Sequence, residues 1–250
     1  KKFKKKLNKK IKNKIKKFIK KKNYTTKKNC EKFIRHITLN KKKPKVLIIG
    51  GAEKGHGTDK LWNNKNIEIH STDIYMSENV HFICDSHYLC LKTNYYDGVW
   101  IQAVLEHVVE PNIVVNEIYR VLKPGGMVYA ETPFMQQVHE GAYDFNRYTV
   151  LGHRYLFKNF KLIDYGGNKG PEEVFTWSTK YLIWSIFRNK TFANFISFFV
   201  SIIMIPLNLL ISEKSMHDAS SGVYFLGKKA RNYKITHKEL VNLYKGQYLN

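Results

Sequence analysis

The chain of 250 residues is long enough for one α/β domain with an appendage, and its 43% content of hydrophobic residues excludes general disorder. Its formal net charge of +23 is typical of a nucleic-acid-binding protein, but residues 1–45 contain 22 of the 43 Lys and Arg residues and one acid, Glu31. The remaining chain is nearly neutral, so the basic charge belongs to an N-terminal arm and not to the folded domain.

The first 22 residues of this arm predict an amphipathic basic helix. Their apolar residues recur at helical spacing between Lys and Asn: Phe3, Leu7, Ile11, Ile15, Phe18 and Ile19. Lys side chains at this density repel one another in water, and an anionic surface relieves the repulsion. We therefore interpret residues 1–43 as an arm that binds an anionic membrane surface. RNA phosphates are the alternative partner.

Two further features predict a cytoplasmic location, peripheral at the inner face of the membrane. Cys30, Cys84 and Cys90 are too few and too scattered for a disulfide framework, which favours a reducing compartment. The apolar residues near the N-terminus alternate with Lys, so they do not form the apolar core of a signal peptide.

From residue 44 onward, apolar β-branched runs alternate with helical patterns, which predicts an α/β fold with a doubly wound, mostly parallel sheet. A short helix is predicted at residues 58–62. A longer one begins at Pro111 and ends at the Pro-Gly-Gly turn of residues 123–126. Residues 44–170 and 221–250 form this domain. Seven strands are predicted in it, at residues 45–50, 67–73, 80–85, 96–104, 127–133, 160–166 and 221–229.

Residues 171–220 form an insertion between the last two strands, rich in aromatic and aliphatic residues. Its segment 191–212 contains no charged residue and is long enough to span a bilayer. A single crossing would leave the last strand on the wrong side of the membrane, and Pro206 and Asn208 weaken a straight span. We predict helices that lie in the membrane interface or cover a pocket.

Glycines and carboxylates follow the first strands of the predicted sheet. Gly50, Gly51, Gly55 and Gly57 form a turn that lets the backbone approach an anionic ligand, although the spacing departs from the dinucleotide pattern G-x-G-x-x-G. Asp73 ends the second strand, where an acid can accept both ribose hydroxyls of an adenosine. Asp85 and Ser86 end the third, where they can meet an adenine edge. Each residue alone could be a turn former, but open α/β sheets bind ligands at this edge.

Residues 97–126 carry a more specific pattern, DGVWIQAVLEHVVEPNIVVNEIYRVLKPGG. It resembles the fourth strand, the Leu-Glu-His loop and the Arg-Val-Leu-Lys-Pro-Gly-Gly turn of the type-11 class I methyltransferases. The first motif differs, with Ile48 in place of the usual acid and Ala52 in place of a glycine. The resemblance implies a Rossmann-like methyltransferase fold and S-adenosylmethionine as cofactor. It implies that the cofactor contacts include Gly50, Gly51, Asp73, Asp85 and Gln102.

The segment that leaves the fifth strand resembles a subgroup of this family often associated with polysaccharide and glycolipid genes. The shared residues are Thr132-Pro133-Phe134, the Gln-Gln-Val-His run of residues 136–139 and the Tyr-Asp-Phe-Asn-Arg-Tyr-Thr run of residues 143–149. A mixed set of His, Tyr, Asp and Arg beside the methyl donor suits acceptor recognition, with His139 as the predicted base. The predicted catalytic residues are His139, Tyr143, Asp144 and Arg147. The alternative is a solvated loop with an Asp144–Arg147 ion pair.

One other pattern resembles a metal site: His81, Cys84, His87 and Cys90 recur every three residues. Two of them fall on a predicted strand and the set lacks paired-ligand spacing, so no metal site is predicted. The leading hypothesis is a peripheral membrane methyltransferase whose acceptor is a glycan, a lipid-linked saccharide or another lipid-borne molecule. An RNA methyltransferase and a non-catalytic membrane scaffold are the alternatives.

Overall fold

The computed structural model describes residues 24–39, 41–207 and 210–248. A seven-stranded sheet with the order β3-β2-β1-β4-β5-β7-β6 forms the centre of this part of the chain. All neighbouring strands are parallel except β7, which runs antiparallel to β5 and β6. The strands are β1 (Lys45–Ile49), β2 (Glu68–Asp73), β3 (Phe82–Ile83), β4 (Tyr96–Gln102), β5 (Leu122–Pro133), β6 (Phe160–Asn168) and β7 (Gly222–Lys229).

The strand order reverses between β1 and β4, which places a crevice for ligands at the carboxyl ends of these two strands. Val46 and Ile48 of β1 pack in one apolar cluster, whereas Leu47 and Ile49 pack in another on the opposite face. Because both faces are buried, the strand is a continuous apolar run. The predicted α/β class and doubly wound, mostly parallel sheet are confirmed.

Helices cover both faces of the sheet, and their apolar residues complete the two clusters. On one face, Val114, Ile118 and Val121 of one long helix are fully buried. A second long helix covers the other face, and the remaining described helices are four short ones and a hairpin of two longer ones. The helices are α1 (Tyr24–Thr38), α2 (Asp59–Trp62), α3 (Pro111–Val121), α4 (Val150–Leu156), α5 (Pro171–Phe187), α6 (Lys190–Leu207), α7 (Glu213–Ala219) and α8 (His237–Val241).

Helix α1 corrects the predicted extent of the basic arm. Cys30, Phe33 and Ile37 are buried against the second face of the sheet, with the Phe33 ring edge-on to Trp100 at a centroid distance of 5.4 Å. A Cβ added at Gly98 of β4 would lie 2.6 Å from Phe33 Cζ, so this glycine makes room for the ring. The described part of residues 1–43 therefore includes a helix of the folded domain. The amphipathic helix predicted for residues 1–22 lies outside the described residues.

Two strands differ from their predicted bounds for local reasons. Strand β3 has only two residues because the His81 imidazole, instead of a strand backbone, accepts the hydrogen bond from Ser71 N at 3.1 Å. Strand β5 begins at Leu122, and its register against β4 shifts from Tyr96–Leu122 to Gly98–Met127. The predicted turn at residues 123–126 is thus a bulge within β5, and Gly125 supplies its positive φ of 77°.

The insertion consists of α5, α6 and α7, as the helical prediction requires. Helices α5 and α6 form a hairpin with small or polar residues at the contact: Ala193 is fully buried, and Ser197 Oγ donates to the carbonyl oxygen of Thr176 at 3.5 Å. Within residues 24–39, 41–207 and 210–248, none of the helices is both long and apolar enough to cross a bilayer.

Candidate active site

The glycine loop after β1 is packed closely against its neighbours at the switch point of the sheet. Gly50 N and Gly51 N donate to the carbonyl oxygen of Thr72, at 2.9 and 3.1 Å. Gly50 has a φ of 76°, and a Cβ there would lie 2.1 Å from Val104 Cγ2. At Gly51 a Cβ would lie 1.9 Å from Ser71 Oγ. Only glycine allows this approach of the loop to β2 and to the chain after β4.

Gln102 connects the same loop to the end of β4. Its Nε2 donates to the carbonyl oxygen of His56 at 3.3 Å, and its Oε1 accepts from Trp100 Nε1 at 3.3 Å. A Cβ at Gly55 would meet Gln102 Oε1 at 2.3 Å. Gly57 lies elsewhere: with a φ of 84°, it packs against Thr26 and Lys27 at the start of α1. The structure thus brings Gly50, Gly51, Gly55 and Gln102 together, whereas Gly57 supports α1.

The two predicted carboxylates lie at the ends of adjacent strands. Asp73 Oδ2 accepts from Ala52 N of the glycine loop at 2.9 Å, and Asp73 Oδ1 accepts from Tyr75 N at 3.3 Å. Asp85 Oδ1 accepts from His87 N at 2.8 Å and lies 2.7 Å from His87 Nδ1. These hydrogen bonds lower the pKa of Asp85. Ser86 next to it is nearly buried. Both carboxylates stabilise turns, and both lie at the edge of the sheet where an adenosine would bind.

A glycine loop at the switch point, flanked by carboxylates on the next two strands, fits an adenosine-bearing ligand with a charged tail. Gly50, Gly51, Gly55 and Gln102 would hold the tail. Asp73 and Asp85 would hold the ribose and the adenine.

Three of the four predicted catalytic residues form one connected group on the chain after β5. Arg147 donates to Asp144 from both of its terminal guanidinium nitrogens, Nη1 and Nη2, and this ion pair lowers the pKa of Asp144. Asp144 Oδ2 also accepts from His139 N at 3.0 Å and lies 3.3 Å from His139 Nδ1. Burial lowers the pKa of His139. The Asp144 side chain is fully buried at this ion pair, whereas residues 138–143 beside it are exposed. Acceptor recognition by this segment stays a prediction.

The side chain of Tyr143, the fourth predicted catalytic residue, does not belong to this group. The residue is 67% exposed, and it contributes its carbonyl oxygen, which lies 2.6 Å from His107 Nδ1. The prediction of a catalytic phenol at Tyr143 therefore finds no support in the described contacts.

Glu106 and His107 are site residues that the sequence analysis did not single out. They belong to the loop after β4, whose Glu106 carbonyl oxygen accepts from Phe145 N and Asn146 N at 2.8 and 3.2 Å. These bonds bring His139 next to them: His107 Nε2 and His139 Nε2 lie 3.8 and 4.0 Å from Glu106 Oε1. Glu106 is fully buried, and burial raises its pKa to about 8. The sequence signal that could have identified these two residues is an adjacent Glu-His pair at the carboxyl end of a buried strand.

Comparisons with known proteins concern the family and the fold of the chain. A family model for the methyltransferase domain matches residues 60–130, from α2 into β5. A search of curated protein sequences finds no significant match. The family match over residues 60–130, together with the fold shared with class I methyltransferases, supports a methyltransferase domain that uses S-adenosylmethionine.

Three solved structures illustrate the similarity of fold. Phosphoethanolamine N-methyltransferase 2 of Haemonchus contortus, in complex with S-adenosyl-L-methionine, is 15% identical with a TM-score of 0.51, over 82% of this chain and 53% of that one. This chain therefore spans about half the length of the nematode enzyme. A protein of Galdieria sulphuraria, assigned as a sarcosine dimethylglycine methyltransferase, is 14% identical with a TM-score of 0.53, over 82% of this chain and 86% of that one. Geranyl diphosphate C-methyltransferase of Streptomyces coelicolor A3(2) is 9% identical with a TM-score of 0.52, over 81% of this chain and 75% of that one.

Replacing Asp73 by Ala is expected to weaken S-adenosylmethionine binding by about 1.5–3 kcal/mol, because the ribose loses its acceptor and the glycine loop loses the bond to Ala52 N. Asp73→Asn is the matched control, since its amide oxygen can keep the loop bond while one ribose acceptor is lost. We expect an intermediate loss in a calorimetric titration. Wild-type affinity in folded Asp73→Ala would remove Asp73 from the cofactor site.

Proposed function

We propose that this methyltransferase acts on a glycan, a lipid-linked saccharide or another lipid-borne acceptor at the inner surface of the cytoplasmic membrane. The observation that carries the proposal is a direct connection between the apolar hairpin of α5 and α6 and the chain after β5 that contains His139, Asp144 and Arg147. We call this chain the acceptor segment. The Tyr181 hydroxyl of α5 donates to the carbonyl oxygen of Val138 at 2.6 Å, next to His139. Gln137 Nε2 donates to Ser178 Oγ of the same helix at 3.0 Å. Lipid bound to the hairpin would therefore lie beside the residues predicted to recognise the acceptor.

The hairpin exposes large apolar side chains along both of its helices. Phe195, Phe199 and Ile203 recur every four residues and so share one face of α6, and their exposed fractions are 58%, 48% and 63%. Leu182 and Ile186 of α5 are 60% and 61% exposed. We call these five residues the hairpin patch. Apolar surface concentrated in this way is typical of a membrane-interaction site, because burying it in lipid removes it from water.

Aromatic and basic residues accompany the patch. Lys180 Nζ lies 5.0 Å from the ring centroid of Trp177, and Lys190 Nζ lies 5.4 Å from that of Trp184. Trp is enriched at the level of lipid headgroups, and Lys can bury its stem while its ammonium contacts anionic phosphates. The composition of the hairpin therefore favours a helix pair that lies flat in the interface.

The acceptor class is tested by supplying S-adenosylmethionine with a radiolabelled methyl group to the full chain, together with membranes or total RNA. We expect label in the lipid or lipid-linked saccharide fraction, and little in RNA. Once S-adenosylmethionine is bound, it supplies an electrophilic methyl carbon. The same methyl group can be transferred to either kind of acceptor, so the fraction that carries the label identifies the acceptor class. Label that enters RNA alone would overturn the lipid proposal in favour of the RNA alternative.

Membrane binding is expected to have two components on anionic vesicles. Deleting residues 1–22 should remove a salt-sensitive component, because each Lys near an anionic surface contributes about 1 kcal/mol. The double variant Phe199→Glu/Ile203→Glu should remove a salt-resistant component that depends on apolar burial. Val241→Glu is the control, since Val241 on α8 is 67% exposed, more than either Phe199 or Ile203. Vesicle flotation measures both components.

The choice of Phe199 and Ile203 follows from the structure. The neighbouring Phe198 is less suitable, because it is only partly exposed and lines the groove between α5 and α6. A charge at Phe198 would disturb the hairpin as well as the membrane contact. If the protein stays in the soluble fraction at low salt, or if Val241→Glu impairs flotation as much as the double variant, membrane action is rejected.

A further inference from the structure

Three electron-pair donors from two separate segments converge beside the acceptor segment. Glu106, His107 and His139 each offer one ligand atom, and these three atoms all lie within 4.8 Å of one another. The two imidazole centroids are 5.0 Å apart. No other group of three such residues in the described part of the chain has this geometry. The four residues His81, Cys84, His87 and Cys90, which resemble metal ligands in the sequence, are not among them.

The surroundings fix which nitrogen of each imidazole points into this cluster. His107 Nδ1 lies 2.6 Å from the carbonyl oxygen of Tyr143, which can only accept a hydrogen bond, so His107 Nδ1 carries the proton. His139 Nδ1 lies 3.3 Å from Asp144 Oδ2, a carboxylate held by Arg147. With the proton on Nδ1 of each neutral imidazole, both Nε2 atoms present lone pairs toward Glu106.

The carboxylate of Glu106 lies in this cluster without a hydrogen bond from any other described residue. Its side chain is buried, and neither carboxylate oxygen has a partner within the described residues. The two Nε2 atoms lie too far away, at 3.8 and 4.0 Å, for a direct hydrogen bond. A buried carboxyl group without a partner is costly, and three acceptors that face one another leave a place for a cation.

We propose that Glu106, His107 and His139 bind one divalent transition-metal ion, with Zn²⁺ as the best match to two imidazoles and a carboxylate. Zn–N and Zn–O bonds of about 2.0–2.2 Å require the three atoms to approach by roughly 1 Å, which side-chain rotation allows. The carbonyl of Tyr143 and the carboxylate of Asp144 orient the two imidazoles, as outer partners of metal-bound His do.

Three protein ligands leave a coordination position open, as in catalytic zinc sites. An acceptor hydroxyl bound there would lose its proton more readily. This role rests on the proposed function, whereas metal binding does not. The predicted role of His139 as a free base is incompatible with the metal site, because both use the Nε2 lone pair. The structure favours the ligand role because His107 and Glu106 share the same point of convergence.

Zn²⁺ titration of metal-free, full-length protein by calorimetry tests the proposal. We expect one equivalent to bind, and Glu106→Gln, which keeps the size of the side chain, to weaken binding at least tenfold. Asp144→Asn should weaken it about 10–100-fold through the orientation of His139. His70→Gln is the matched control, because His70 also lies near a carboxylate, 3.1 Å from Glu68 Oε1, but outside the cluster. It should bind as the wild type does.

Two outcomes would overturn the metal site: no stoichiometric binding to folded wild-type protein, or equal binding by the wild type and Glu106→Gln. Cys90→Ser identifies adventitious binding at an exposed thiol, since loss of the signal in that variant would also reject the site. Visible absorption of the Co²⁺-loaded protein gives a second measurement, expected to change in Glu106→Gln and not in His70→Gln. No acceptor is present in these titrations, so they can succeed or fail independently of the lipid-labelling experiment.

Discussion

His139→Ala is expected to lower the turnover by about 10²–10⁴-fold while the affinity for S-adenosylmethionine stays unchanged. The variant removes the Nε2 atom that faces Glu106, whether this atom acts as a base or as a metal ligand. It leaves intact the glycine loop and Asp73, which belong to other segments. Transfer of a radiolabelled methyl group to the lipid fraction measures turnover, and calorimetry measures cofactor affinity.

His36→Ala is the control, because His36 is exposed on α1 and takes part in none of the site contacts described above. It should retain wild-type turnover. A His139→Ala variant within a few-fold of the wild type would show that alignment of the acceptor, and no group at His139, limits the reaction. Zn²⁺ titration of the same variant separates the two roles: a ligand role predicts weaker metal binding, and a base role predicts no metal binding even in the wild type.

Phe33→Ala is expected to lower the free energy of unfolding by about 3–5 kcal/mol, because it leaves a cavity between α1 and the sheet. The Phe33 ring is fully buried against Trp100 and above Gly98, and no larger side chain is available to fill the space. Urea denaturation followed by circular dichroism measures the change.

Leu39→Ala is the matched control, since Leu39 follows α1 and is 66% exposed. Its effect should stay within about 0.5 kcal/mol. If Phe33→Ala were as mild as this control, α1 would be a peripheral arm, as the sequence analysis predicts for residues 1–43, and its packing on the sheet would contribute little to stability.

The prediction for residues 1–43 was wrong over α1 because its apolar stripe is weak when seen alone. Cys30, Phe33 and Ile37 have helical spacing, but Lys, Asn and Thr surround them, and the basic charge of the whole arm dominates the local pattern. The stripe becomes a packing surface only against the sheet, where it buries Val46, Ile48 and Trp100 on the second face. A requirement of that kind cannot be found within a short window of sequence.

The predicted acceptor residues show the same division. His139, Asp144 and Arg147 could be selected because they are close in sequence and leave the end of a strand, and the structure joins them. Glu106 is distant in sequence from His139, and hydrogen bonds between their segments, among them those from Phe145 N and Asn146 N to the Glu106 carbonyl oxygen, bring the two side chains together. Tyr143 was selected by the same rule of proximity, but its phenol turns outward.

The sequence by itself determined the α/β class and the class of cofactor, and it predicted the edge of the sheet where the cofactor would bind. These follow from local patterns: apolar β-branched runs, a glycine turn after β1, and the residues 97–126 that resemble a methyltransferase. Only the tertiary structure decided that α1 belongs to the core, that Glu106 faces two imidazoles, and that the hairpin holds Val138 next to His139. Each of these depends on contacts between segments far apart in the chain, whose geometry is set by the packing of the whole domain and not by any one segment.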